Sequence, residues 1–249
     1  MRATLTAFTA VVQSYVDQGV LPRNVAALVE RPADADVDED DAEPNSETTA
    51  KSWTVAEAQR FRESVRDDRL FACWLLSCYG LRRSEVLGLR WSAIEGEALH
   101  VRRGRVTVGT ETIEGAPKSR RSRWELPMPA ELIEALRALK TRQKEEVLAI
   151  GVPWDEDRLV ASREDGSPVA PDWYSDEFHR LRARAGLRRI KLHGLRNTSV
   201  TLMLDRGIPV HIVAGWHGHD PAVSLSIYPD AKADELRAAG ASLFGSAAK

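Results

Sequence analysis

Cysteine is almost missing from this sequence: Cys73 and Cys78 are the only two in 249 residues, five apart in an apolar segment. Two are too few for a disulfide framework and lack the paired spacing of a zinc site, so both read as small buried hydrophobes. There is no run of about 18 apolar residues, hence no candidate for a membrane-spanning helix. Met1 to Leu5 offer neither the basic region nor the apolar stretch of a signal peptide, and the expected compartment is the cytoplasm. Internal repeats and a glycine-rich phosphate-cradling loop are also missing. Nor is there a large charge of one sign, since 35 Lys and Arg face 37 Asp and Glu for a net −2. What is there, 43% hydrophobic and 29% charged residues, suits a folded soluble chain with a real core.

The near-neutral total hides an uneven distribution. Residues 33–50 hold eight acids (Asp34, Asp36, Asp38, Glu39, Asp40, Asp41, Glu43, Glu47) and no Lys or Arg. Without them the basic residues outnumber the acids by six. The bases cluster around Arg102 to Arg105, Lys118 to Arg123 and Arg180 to Arg196. Such clusters are either phosphate contacts or solvated helix faces, and charge alone does not decide between them.

Patterning divides the chain into three. Over residues 1–31, Leu5, Phe8, Val12, Tyr15 and Val16 recur at helical spacing and stop near Gly19 and Pro22, giving one amphipathic helix. Residues 32–50 read as an exposed acidic linker. Residues 51–249 form the main folded unit. Thr54-Val-Ala-Glu57 is a capping box opening a helix to about Val65, and an apolar helix from Asp68 to near Tyr79 should be central. Short alternating pieces at Ala98 to Val101, Arg105 to Val108 and Trp124 to Leu126 predict a small antiparallel sheet. Helices are expected again over Pro129 to Leu148, Trp173 to Ala185, Leu195 to Arg206 and Val210 to His217, with a tail helix over residues 232–244. The fold class is therefore mainly α with a small antiparallel β-sheet, that is, α+β.

Four segments carry polar groups that a packed helical domain does not need: Gly80-Leu-Arg-Arg-Ser-Glu85 followed by Leu89-Arg90-Trp91, then Pro117-Lys118-Ser119-Arg120, then His193-Gly-Leu-Arg196, then Gly218-His219 with Tyr228 nine residues on. Each alone has a commonplace reading: a helix-end arginine, one base among several in a turn, a His and Arg sharing a helix face, a half-buried tyrosine. Together and in this order they resemble the tyrosine recombinase (phage integrase) family, over roughly residues 51–230. The resemblance implies that Arg82 and Arg196 are the catalytic arginines, with Glu85 supporting Arg82. It further implies that Lys118, His193 and His219 complete the set and that Tyr228 is the nucleophile. Arg83, Arg120, Arg121, Arg123, Arg188, Arg189 and Lys191 are the expected DNA-contacting bases.

The chemistry explains why those residue types are wanted. In-line attack on a phosphodiester builds negative charge on the non-bridging oxygens, which two guanidiniums can brace with directional hydrogen bonds. His219 would bond the same phosphate, His193 would assist deprotonation of Tyr228, and Lys118 would protonate the departing 5′ oxygen. The 3′-phosphotyrosyl link stores the bond energy, so neither ATP nor a metal is implied. His211, His217 and His219 also raise a metal reading, but further ligands at zinc-like spacing are wanting. His217 falls on an apolar helix face, where the family usually has leucine, and a buried histidine there needs a partner.

The family usually carries an N-terminal core-binding domain of several helices, and residues 1–31 resemble only its last helix. Weak, salt-sensitive DNA binding is therefore expected of this chain alone. The acidic linker is either a solvated spacer or a strap over the basic groove. The implied partner is double-stranded DNA, with a tetramer on paired sites, a monomer off DNA, DNA-bending accessory proteins and no membrane. Residues 232–244 would pack on a neighbouring protomer or back on their own domain. Two other activities fit parts of the pattern, a type IB topoisomerase and a non-catalytic DNA-binding remnant. The His193-x-x-Arg196 pair favours the recombinase over the topoisomerase.

Overall fold

The computed structural model describes residues 2–29, 51–108, 111–115, 124–219 and 221–222. The chain divides into two compact units, Met1–Ser46 and Glu47–Lys249. In the first, α1 (Arg2–Asp17) is followed by a 3-10 turn at Val25–Leu28. Asn24 ties the two together, its Nδ2 donating to the Thr9 carbonyl (3.0 Å) and to Gln13 Oε1 (2.9 Å).

The second unit opens on α2 (Val55–Ser64), held by the capping box read from sequence. Thr54 Oγ1 accepts from the Glu57 N–H, and the Glu57 carboxylate accepts from the Thr54 N–H at 2.8 Å. The helix α3 (Phe71–Cys78) is the central one expected, with Ala72 to Ser77 all buried. Its Trp74 stacks on Tyr174 of α6 (Pro171–Arg184) with centroids 4.2 Å apart, and Ser77 Oγ lies 3.0 Å from the Tyr174 hydroxyl. Trp53, Phe61 and Phe178 form an aromatic cluster with centroids 5.3 to 5.8 Å apart, an offset geometry that suits ring quadrupoles. Cys73 is buried as expected and Cys78 only partly so, packed at the edge of the core; desolvation pushes both thiols up to about 12, consistent with inert cysteines.

The helix α4 (Arg83–Gly88) leads into β1 (Ile94–Glu95) and β2 (Ala98–Val101), then β3 (Gly104–Val108), β4 (Glu111–Gly115) and β5 (Trp124–Pro127). The sequence pattern places Ala98 to Val101, Arg105 to Val108 and Trp124 to Leu126 in one sheet, and here the structure differs. The order β1-β2-β5 makes a three-stranded antiparallel sheet, with Leu99 opposite Leu126 and Val101 opposite Trp124, whereas β3 and β4 form a separate hairpin. The cause is close backbone packing of the hairpin on α4. A Cβ added at Gly88 would stand 2.8 Å from the Gly104 Cα, so β3 can lie this close to α4 only because position 88 is glycine. Arg105 is drawn in by the same packing; it is buried and donates to the Val169 carbonyl at 3.3 Å.

The helices α5 (Ala130–Ala149), α6, α7 (Gly194–Asp205) and α8 (Val210–His217) follow the expected spans to within a few residues. Among the described residues no helix is long and apolar enough to cross a membrane. Buried Gln143 on α5 accepts from Trp91 Nε1 at 2.9 Å and donates to the Val160 carbonyl at 2.8 Å, joining three segments distant in sequence. Gln143→Leu would strip both groups of their partner and should cost about 1–3 kcal/mol, read as a lower urea midpoint at unchanged slope.

Candidate active site

The site is built where the α3–α4 link, the start of α7 and the end of α8 meet. Glu85, at the third position of α4 and buried, reaches back to the preceding turn. Its Oε2 accepts from the Arg82 backbone N–H at 2.7 Å and its Oε1 from Arg82 Nη1 at 2.9 Å. Arg196 comes from the first turn of α7 and is 4% exposed. Its Nη1 lies 3.8 Å from Glu85 Oε2, so one carboxylate serves two guanidiniums, one oxygen to each. Two cations and one anion leave a net positive charge, a setting that favours an anionic ligand.

Burial of Arg196 is compensated by acceptors from three directions. Its Nη1 donates to the Gly80 carbonyl at 2.6 Å, and its Nη2 donates to the His217 carbonyl and, at 3.0 Å, to His219 Nδ1. A guanidinium has donors only, so His219 Nδ1 must accept and the proton of the neutral ring sits on Nε2. Arg196 thereby fixes the tautomer that presents an Nε2–H donor. The side chain of Arg82 is 27% exposed and contributes a second guanidinium more open to a ligand.

His217 answers the expectation that a buried histidine here needs partners. It is fully buried; Nδ1–H donates to the Val213 carbonyl at 2.8 Å, and Nε2 accepts from the Ser199 hydroxyl at 3.0 Å. Burial, with the charges of Arg196 and Arg82 behind it, brings its pKa down to about 3. Gly80 is required beside it, because its φ of +96° suits glycine and a Cβ there would stand 2.5 Å from the imidazole. On the other side of this segment the Trp124 ring covers Gly218, where a Cβ would come within 2.3 Å of it.

Of the remaining sequence candidates, His193 directly precedes α7 and is half-buried, its carbonyl accepting from the Arg196 N–H at 3.0 Å. Arg189 and Lys191 are exposed between α6 and α7. Arg188 is exposed but engaged, donating through Nε to Glu57 (2.7 Å) and through Nη2 to the Ser52 carbonyl (2.6 Å). Arg83 departs from its expected place among the DNA-contacting bases. Its side chain is 9% exposed and bonds the start of α6 through the Pro171 carbonyl (3.2 Å) and Ser175 Oγ (2.8 Å), so it is spent on packing α4 to α6. Lys118, Arg120, Arg121, Arg123 and Tyr228, with the tail helix over residues 232–244, lie outside the described residues. Sequence reasoning missed Ser199 and the Gly80 carbonyl. Ser199 was within reach of it, since it stands three residues from Arg196 on one helix face.

With this geometry in hand, comparison with known proteins gives consistent results. The phage integrase family matches residues 54–235. A tyrosine recombinase XerC-like protein of Caldanaerobacter subterraneus subsp. tengcongensis is 31% identical over 202 residues, covering 75% of this chain and 52% of that protein. An integrase of Streptomyces ambofaciens is 32% identical over 118 residues, covering 46% of this chain and 30% of that one. The chain thus spans about half the length of the first relative, and less of the second. Among solved structures, the Tn1549 transposon integrase in complex with transposon right end DNA superposes with a TM-score of 0.72 at 19% identity, covering 96% of this chain and 77% of that one. XerA recombinase gives a TM-score of 0.57 at 19% identity, covering 82% and 67%. These likenesses share the fold, helices around a small antiparallel sheet.

The buried neutral His217 has a thermodynamic signature. The unfolded chain takes up a proton near the usual 6.5, which the folded protein refuses until about pH 3. Stability should therefore fall as pH drops between those values, by at most about 1.4 kcal/mol per pH unit from this group. In urea titrations at pH 7, 5.5 and 4.5, the stability gap between the parent and His217→Leu should narrow as pH falls. A constant gap would contradict the assignment.

Proposed function

The chain belongs to the phage integrase family, and from that premise we propose that it cuts and rejoins DNA as a site-specific tyrosine recombinase, through a 3′-phosphotyrosyl link at Tyr228. The observation that carries this reading is the shared Glu85 carboxylate, which hydrogen-bonds Arg82 through one oxygen and stands within ion-pair distance of Arg196 through the other, 3.8 Å away. Two guanidiniums that share one carboxylate can brace the paired oxygens of a phosphodiester, and partners already in place mean little reorganisation as charge grows in the transition state. His219, its tautomer set by Arg196, adds an Nε2–H donor to the same phosphate. His193 and Lys118 are assigned the proton transfers, from the Tyr228 hydroxyl and to the departing 5′ oxygen respectively. Attack by the tyrosyl oxygen breaks the bond to the 5′ oxygen. Return attack by a 5′ hydroxyl reseals the strand and frees the tyrosine, so the phosphoester count is conserved and no ATP is needed.

The exposed bases Arg189 and Lys191, with Arg120, Arg121 and Arg123, serve as phosphate contacts in this reading, and so does Arg188, whose side chain is also exposed. The partner is double-stranded DNA, by analogy with a lambda integrase dimer bound to a core site and the Tn1549 integrase on transposon DNA. A tetramer on paired sites, a monomer off DNA, and action in the cytoplasm at the nucleoid complete the proposal, together with residues 1–31 as the last helix of a core-binding domain.

The test needs no knowledge of the target site. On a negatively supercoiled plasmid at low salt, without metal or ATP, the parent should relax the DNA and form a covalent protein–DNA product that Tyr228→Phe lacks. Arg82→Ala and Arg196→Ala should each lower that product by about a hundredfold or more. A covalent product that persists in Tyr228→Phe, or its absence from the parent, would contradict the proposal.

A further inference from the structure

Three of the acceptors around Arg196 share one neighbour. The Gly80 carbonyl, the His217 carbonyl and His219 Nδ1 come from two separate segments, and the His217 ring touches or belongs to both. The Gly80 Cα faces the edge of that ring so closely that a Cβ would meet Cδ2 and Nε2 at 2.5 Å. The His219 ring lies near-parallel to it, at 27° with centroids 5.6 Å apart. Through Nδ1 the ring is pinned to the Val213 carbonyl one turn back on α8, and through Nε2 to Ser199 on α7, three residues beyond Arg196. The imidazole therefore sets the spacing between the helix that carries Arg196 and the segments that supply its acceptors.

We infer that His217 is a positioning residue for strand cleavage: its hydrogen bond to Ser199 and its packing against Gly80 and His219 hold Arg196 and His219 in mutual register. This rests on the recombinase reading of the site. An apolar side chain of similar bulk would fill the space but would not fix the helix-to-helix distance, because dispersion is not directional whereas a hydrogen bond on each ring nitrogen is. Of the two neutral tautomers only Nδ1–H satisfies both partners, since the Val213 carbonyl can only accept. Burial and the cationic neighbours Arg196 and Arg82 keep the ring neutral, so the arrangement persists across the ordinary working range of pH. The role acts through the catalytic groups, because His217 is fully buried and touches them rather than DNA.

Single-turnover formation of the covalent plasmid adduct, alongside DNA affinity by fluorescence anisotropy, tests this in the full chain. His217→Leu should slow adduct formation about tenfold or more at saturating DNA while the dissociation constant stays within about twofold. Ser199→Ala should slow it similarly, the double variant should be no slower than the worse single one, and His217→Gln, which keeps an acceptor for Ser199, should recover part of the rate. A parental rate in His217→Leu, or losses that multiply in the double variant, would overturn the inference. A second readout is independent of catalysis: nitrogen NMR of the His219 ring in the DNA-free protein. It should report an accepting Nδ1 in the parent and a mixture of tautomers in His217→Leu; an unchanged spectrum would overturn the inference even if the parent forms no adduct. A parent without Tyr228-dependent adduct but with the tautomer change would instead count against the recombinase reading alone.

Discussion

An arginine with only 4% of its side chain exposed must find its partners inside the protein, and most of the site follows from meeting that demand for Arg196. It needs acceptors, and a helical domain has few to spare, because carbonyls within a helix are already engaged. Those it uses come from places where helices end. Gly80 follows α3, His217 is the last residue of α8, and His219 lies just beyond it. Helix C-termini leave carbonyls without intrahelical donors, and here that shortage of donors and the buried cation relieve each other. The cation thus gathers the ends of α3 and α8 onto the start of α7, where the other polar groups of the site also stand.

Glu85 completes the balance. One carboxylate near two guanidiniums lowers the local charge enough for both to coexist in a partly buried space, while leaving it positive overall. An uncompensated pair would repel, and a fully neutralised pair would have little reason to attract an anion. The arrangement suits a site that attracts an anion. It also explains why several side chains that look interchangeable in the sequence are not. Arg82 and Arg83 are adjacent, yet Arg82 faces Glu85 and the site, whereas Arg83 bonds the start of α6.

Much of the architecture was legible because it rests on local signals. The Thr54 to Glu57 capping box, the all-round apolar character of α3 and the spans of α5 to α8 depend on residues near one another in the chain. The separation of the β3–β4 hairpin from the β1-β2-β5 sheet was not legible, since it depends on Gly88 and Gly104 meeting across the fold. The site divides in the same way. Motif order singled out Arg82, Glu85, Arg196 and His219, and polarity on an apolar face singled out His217. The spacing of Ser199 from Arg196 places it on the same helix face, but its bond to His217, like the approach of the Gly80 carbonyl to Arg196, is a contact between segments that no spacing rule within one segment announces.

The central claim is that the Arg196 guanidinium is already fixed in the DNA-free protein, and nitrogen NMR of arginine side chains measures this most directly. The account predicts separately resolved Nη–H signals for Arg196, with slow rotation about the Nε–Cζ bond and slow exchange with water, assigned by their loss in Arg196→Lys. Averaged, rapidly exchanging signals like those of an exposed arginine would contradict it, because the acceptors at Gly80, His217 and His219 would then not be holding the group.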